Sequence, residues 1–155
     1  MVCRHFRKFL PEVKNVLVLG TGLGSMVQVM IRKGHDPEFT LVEKDKLILK
    51  WAMEFAPEGM KAQPVCEDAH TYMMGNMIHY DLVFIDIFNG RHVPRFVYSE
   101  SFLTMCRDSV APGGHLAFNY MVNDWQEWQT VQRIFGLVFP GYQVLERGEN
   151  RVLVV

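Results

Sequence analysis

The stretch Asn15-Val-Leu-Val-Leu-Gly20-Thr-Gly-Leu-Gly24-Ser25 decides how the chain is read. After Asn15, residues 16–19 are uniformly apolar and β-branched or aliphatic, with no polar alternation, which is the mark of a strand buried on both faces of a parallel sheet. The run ends in glycines at 20, 22 and 24. A backbone without Cβ atoms turns sharply there and lets a ligand come close. A helix over 24–33 is expected next, with its free N–H groups facing the same point. The spacing fits GxGxG and nearly fits the dinucleotide pattern GxGxxG, with Ser25 in the third glycine's place.

Working outward, short apolar runs alternate with amphipathic stretches to the end of the chain. Strands are expected at 39–42, 62–66, 81–85, 115–119, 142–146 and 151–155, and helices at 45–55, 69–77, 98–109 and 125–139. The Pro112-Gly-Gly114 turn precedes the fifth strand, and the polar turn 147–150 makes the last two strands a hairpin. This pattern predicts one α/β domain over 1–155, with 1–14 as a helical lead-in. Its architecture is a Rossmann-like, doubly wound, seven-stranded, mostly parallel sheet with a C-terminal antiparallel hairpin. Leu47, Ile48, Trp51 and Phe55 are expected to form the sheet-packing face of their helix. Trp125, Trp128 and the helical methionines (Met26, Met30, Met53, Met73, Met74, Met77, Met105) are expected as core.

Composition narrows the function classes. With 155 residues, 49% of them hydrophobic, the chain is long enough for a core that needs neither disulfide nor metal. Sixteen Lys+Arg against 17 Asp+Glu leave a formal net charge of −1, so no broad basic field exists for a nucleic-acid backbone. The short cluster Arg4, His5, Arg7 and Lys8 reads as a solvated helix face. Cys3, Cys66 and Cys106 are widely spaced without CxxC, which argues against a disulfide framework or a zinc site and for a reducing, cytoplasmic compartment. No apolar run is long enough to span a bilayer, and the opening residues are too charged and too short for a signal peptide.

In a doubly wound sheet the ligand lies beyond the carboxyl ends of the strands, where strand order reverses. The turn residues Gly20, Thr21, Gly22 and Gly24 are therefore expected to cradle it. Glu43 ends the second strand, 19 residues after Gly24, where a carboxylate accepts both hydroxyls of a ribose; this suits adenosylmethionine and NAD alike. Asp68 and Ala69 follow the third strand. Asp68 is positioned to accept from an adenine amine, and capping the next helix is a compatible second role. Asp86 closes the fourth strand, where a carboxylate can orient a nucleophile and take its proton. Asp81, at the opposite end of that strand, reads as structural. His70 and His92 read as surface or satisfied residues near the rim.

These segments together resemble the spermidine synthase-like branch of the class I S-adenosylmethionine-dependent methyltransferase superfamily. VLVLGTGLGS (16–25) is similar to that branch's VLVIGGGDGG, LVEKD (41–45) to its VEID, and EDA (67–69) to its acidic-Asp-Gly segment. YDLVFIDIFNG (80–90) is similar to YDVIIxDxxDP, and 95–119 to the following helix, Pro-Gly-Gly turn and strand. The resemblance implies S-adenosylmethionine, or its decarboxylated form, as cofactor. It puts Asp86 on the family's catalytic aspartate and implies a small-molecule acceptor lined by Phe88, Asn89 and Tyr120.

Departures from the pattern bear on the reaction. Leu23 stands where aminopropyltransferases carry the aspartate that grips the decarboxylated donor's amine, Asn89 where they carry a second aspartate, and Gly90 where they carry proline. A first strand starting near residue 15 also leaves no room for their N-terminal hairpin domain. The expectation is therefore methyl transfer to an unidentified acceptor. Aminopropyl transfer, and a cofactor-binding module completed by a homodimer or partner chain, are the alternatives.

Overall fold

The computed structural model describes residues 2–155. A short helix α1 (Val2–His5) and a 3-10 turn (Leu10–Glu12) lead into strand β1 (Asn15–Leu19). Then follow α2 (Ser25–Arg32), β2 (Glu38–Val42), α3 (Lys46–Glu54), β3 (Ala62–Val65), α4 (Ala69–Gly75) and β4 (Tyr80–Ile85). A second 3-10 turn (Arg95–Tyr98) precedes α5 (Glu100–Asp108), β5 (Val110–Met121), α6 (Trp125–Val138), β6 (Gln143–Arg147) and β7 (Asn150–Val154). The sheet is seven-stranded with the order β3-β2-β1-β4-β5-β7-β6, parallel through β5 and antiparallel in the final hairpin. This is the architecture the alternation predicts, and strand order reverses between β1 and β4.

Successive residues of the central strands feed opposite layers. Val16 and Val18 pack with Val27, Met30 and Leu49 from α2 and α3, joined by Phe6, Leu10 and Val13 of the lead-in. Leu17 and Leu19 pack with Met73, Phe102, Leu103 and Trp128 from α4, α5 and α6. Leu82 and Phe84 against Val83 and Ile85 repeat the division on β4. Two buried faces explain why the strands read as unbroken apolar runs.

The bases of β1 and β4 are stapled by one carboxylate. Asp81 Oδ2 accepts from the backbone N–H groups of Lys14 at 2.8 Å and Asn15 at 3.1 Å, and Asn15 Oδ1 accepts from Asp81 N–H at 2.8 Å. Asp81 is structural, as its place at the strand's start implies.

Several expectations are corrected. β5 starts five residues early, at Val110, because Tyr80 pairs with Val110 and Leu82 with His115, so the Pro112-Gly113 turn is an irregularity within the strand. β3 ends at Val65 and carries Pro64, which is tolerated because β3 is a sheet edge. β6 is displaced by one residue, and Arg147 pairs with Asn150 across a two-residue turn at Gly148 (φ 59°). α4 stops at Gly75, and the expected 98–109 helix divides into a 3-10 turn and α5 at Ser99, whose Oγ accepts from Phe102 N–H. α3 packs through Leu49 and Ala52, leaving Leu47, Trp51 and Phe55 exposed; Trp125, Met74 and Met77 are exposed as well. Arg4, His5, Arg7 and Lys8 are exposed, whereas Cys3 lies among residues whose side chains are not described. No described helix is long and apolar enough to cross a membrane.

Replacing Asp81 with alanine removes the acceptor for two backbone donors. Urea unfolding of Asp81→Ala is expected to show a loss of about 1–2 kcal/mol with an unchanged m-value.

Candidate active site

The ladder of the parallel strands continues past their ends and sets a row of residues on the carboxyl rim. Glu67 N–H donates to Glu43 O, Glu43 N–H to Val65 O, Gly20 N–H to Val42 O and Asp86 N–H to Leu19 O, at 2.8–3.2 Å. Glu67, Glu43, Gly20 and Asp86 thus stand abreast in sheet order. They border a cleft of about 470 Å³, within the range of small-ligand sites.

Gly20 is the tightest point of this rim. Its φ is +81°, and a Cβ there would lie 2.5 Å from the carbonyl oxygen of Asp86 and 2.9 Å from Ile87 Cα. Only glycine lets β1 turn away while β4 continues beside it. Gly22, also at positive φ, has open space where a Cβ would stand and lines the cleft.

Carboxylates dominate the cleft wall. Glu43, Asp45, Glu67, Asp68 and Asp86 line it with one cation, Lys44. Glu43 Oε2 accepts from Gly22 N–H at 3.3 Å and Oε1 from Asp45 N–H at 3.0 Å, so this side chain braces the glycine turn against the start of α3. Two of a carboxylate's roughly four acceptor positions remain for a diol. Asp68 caps α4, its Oδ1 accepting from His70 N–H at 2.9 Å and Thr71 N–H at 3.3 Å. Asp45 caps α3 in the same way, accepting from Leu47 and Ile48.

Asp86 differs from these in its surroundings. Burial raises its carboxyl above the usual range, and a 2.8 Å hydrogen bond from Asn119 Nδ2 to Oδ1 pulls in the opposite direction. The register supplies Asn119: Ile85 pairs with Phe118, so Asp86 and Asn119 are the next residues on β4 and β5 and share a face.

Of the residues expected at the site, Gly20, Gly22, Glu43, Asp68, Ala69, Asp86, Phe88 and Asn89 line this one cleft. Thr21, Gly24 and Tyr120 do not. Thr21 is buried, with both N–H and Oγ1 directed to Val42 O, and Gly24 precedes α2 against Ala52 of α3. Tyr120 is 1% exposed and stacks on Trp128 with ring centroids 5.4 Å apart. Alternation along β5 sends Tyr120 under α6 with Phe118, whereas its neighbour Asn119 reaches the rim. Asn119 is the residue sequence reading passed over; its signal is a lone amide closing the apolar run LAF. Pro94 and Phe96 were likewise not singled out and line the cleft, as does Ile48, which was expected on the sheet-packing face of α3.

The loop after Asp86 is shaped by a tight turn in which Asn89 and His92 exchange backbone hydrogen bonds of 2.8 and 3.1 Å around Gly90. It is tied to the sheet's far end by an Arg91–Glu149 ion pair and by Asn123 Nδ2 donating to Arg91 O at 2.7 Å. His92 is exposed, and His70 stacks against Phe102 with ring centroids 6.2 Å apart.

No family model matches the chain. Among curated proteins it is similar to the N-terminal histidine N-methyltransferase of Emericella nidulans, 27% identical over 111 residues, covering 68% of this chain and 20% of that protein. It is also similar to the polyamine aminopropyltransferase of Vibrio vulnificus, 23% identical, covering 94% of this chain and 51% of that one. The chain thus spans about a fifth and about half of these two relatives' length. Among solved structures, human methyltransferase-like protein 13 in complex with SAH superposes with a TM-score of 0.80 at 21% identity, over 95% of this chain and 73% of that one. A probable spermidine synthase from Corynebacterium glutamicum gives 0.80 at 20% identity, over 91% and 55%. The fold is the spermidine synthase-like methyltransferase fold.

A carboxyl raised by burial favours the protonated state in the folded chain. Its contribution to stability is present at low pH and lost as pH rises through the folded-state value, so at neutral pH ionised Asp86 works against folding. Asp86→Asn keeps an acceptor for Asn119 and is expected to raise the urea midpoint at neutral pH, with a smaller gain in acid.

Proposed function

We propose that this chain is an S-adenosylmethionine-dependent transferase domain that moves a methyl group to a nucleophile presented beside Asp86. The observation that carries the reading is the sign of charge in the cleft at the strand-order switch point. Glu43, Asp45, Glu67, Asp68 and Asp86 outweigh Lys44, so the site attracts a cation and repels a pyrophosphate. That separates a sulfonium cofactor from the dinucleotide that the glycine spacing alone also permits.

The residues present fit such a cofactor. Gly20 and Gly22 leave room for it against the backbone, Glu43 holds the ribose diol with its remaining acceptor positions, and Asp68 faces the adenine edge while its Oδ1 caps α4. Ile48, Ala69 and Phe96 supply apolar walls. When bound, the cofactor supplies an electrophilic carbon on a cationic sulfur, a leaving group that departs neutral. The chain's own part is alignment of the acceptor, with Phe88 and Asn89 in the neighbouring loop, and acceptance of its proton by Asp86. Burial makes Asp86 a stronger base than an ordinary carboxylate, and Asn119 holds it in orientation.

Aminopropyl transfer from the decarboxylated cofactor is the second reading, favoured by the similarity over 94% of the chain to the Vibrio aminopropyltransferase. Leu23 weighs against it. It offers no charge to an amine, is 51% exposed and lies outside the cleft lining.

Titration calorimetry with S-adenosylmethionine, its decarboxylated form and NAD tests both readings. The expected result is binding of the first, little of NAD, and affinity reduced about tenfold or more in Glu43→Gln and Asp68→Ser, the latter keeping a helix cap. Preference for the decarboxylated form, enhanced by Leu23→Asp, would overturn methyl transfer in favour of the second reading. With an acceptor in hand, Asn119→Ala is expected to move the acid limb of the rate profile to higher pH, because the lost hydrogen bond was holding the Asp86 carboxyl down.

A further inference from the structure

The outward face of α3 is apolar. Leu47, Trp51 and Phe55, at every fourth residue, form one stripe and are 51%, 41% and 62% exposed, while Leu49 and Ala52 on the opposite side face the sheet. The glycine turn abuts the inner side of the helix, a Gly24 Cβ lying 3.9 Å from Ala52 O. Scattered single exposures need no explanation, but a contiguous stripe of large side chains does.

We propose that this stripe is the contact through which two copies of the chain pair, α3 against α3, antiparallel about a two-fold axis passing near Trp51. The sequence of the helix is self-complementary in that arrangement. Across a two-fold axis, Trp51 meets Trp51 of the second copy, and the smaller Leu47 meets the larger Phe55 at each end. Charge follows the same dyad. On one flank of the stripe, Lys46 and Lys50 lie toward the N-terminal end and Glu54 toward the C-terminal end. Helical geometry, at 100° and 1.5 Å per residue, brings Glu54 of each copy between Lys46 and Lys50 of the other. Parallel pairing about a two-fold would turn this charged flank toward the opposite, Ile48 side of the other copy and leave Glu54 without those lysines. Among the described residues of one copy, Glu54 pairs with exposed Lys50 alone, at 3.6 Å, which contributes little. The opposite flank of α3 carries Ile48 into the cleft, so the pairing seam runs along the cleft's lip.

The test is sedimentation velocity of the full chain across a micromolar concentration series. The unaltered chain is expected to sediment at twice the mass of one copy, and Trp51→Glu at that of one. Glu54→Lys carries only lysines on the flank, and the double variant Lys46→Glu/Lys50→Glu only glutamates, so each alone is expected to be monomeric. An equimolar mixture is expected to regain the double mass, because every flank contact in the mixed pair is again opposite in sign. All four substitutions are on the surface, and unchanged far-ultraviolet dichroism checks that the variants fold. An unaltered chain that sediments as one copy throughout, charge variants that still pair with themselves, or a mixture that stays monomeric would overturn the proposal. Cofactor binding by Trp51→Glu is scored separately, so a failure of pairing and a failure of the transferase reading are distinguishable.

Discussion

A single hydrogen atom in place of a side chain at residue 20 governs the rest of the molecule's business end. β1 and β4 run parallel and adjacent, and their ends must diverge for a cleft to open. A methyl group on residue 20 would lie within 2.5 Å of Asp86 O, so the two strands would be forced apart where they now meet most closely. With glycine there, Asp86 N–H donates to Leu19 O, the strand ends stay in register, and the acidic rim holds a fixed spacing.

That rim concentrates negative charge in a chain whose overall charge is nearly balanced. Carboxylates at successive strand ends repel one another, and the structure offsets this by giving them backbone N–H partners. Glu43 braces the glycine turn, while Asp45 and Asp68 cap α3 and α4. Caps and helix dipoles stabilise these anions without neutralising them. Asp86 receives only a side-chain amide, and burial accordingly leaves its proton more tightly held. The proposed reading makes the first group ligand acceptors and Asp86 the group that takes a proton.

The loop after Asp86 shows how distant parts reach the site. Its tight turn is pinned by Arg91 to the β6–β7 hairpin and by Asn123 to the segment before α6. The antiparallel hairpin, which takes no direct part in the rim, thus sets the position of Asn89 and Gly90 at the cleft's edge.

By itself the sequence determined the alternation of elements: apolar runs, the first four followed by glycine or an acid at Gly20, Glu43, Glu67 and Asp86, point to a sheet covered on both faces with polar residues at the carboxyl ends. Gly20, Glu43, Asp68 and Asp86 were legible because local rules, a turn that needs positive φ and a carboxylate ending a strand, act within a few residues. Other features came only from tertiary structure. Register decided that Asn119 and not Tyr120 faces the rim, since a one-residue step along β5 exchanges the two faces of the sheet. Periodicity showed that α3 has an apolar stripe but not which way it points, because Leu49 and Ala52 form an equally regular face and the sheet accepts only one. The balance of charge in the cleft, which separates a sulfonium from a pyrophosphate, depends on bringing together strand ends far apart in the chain.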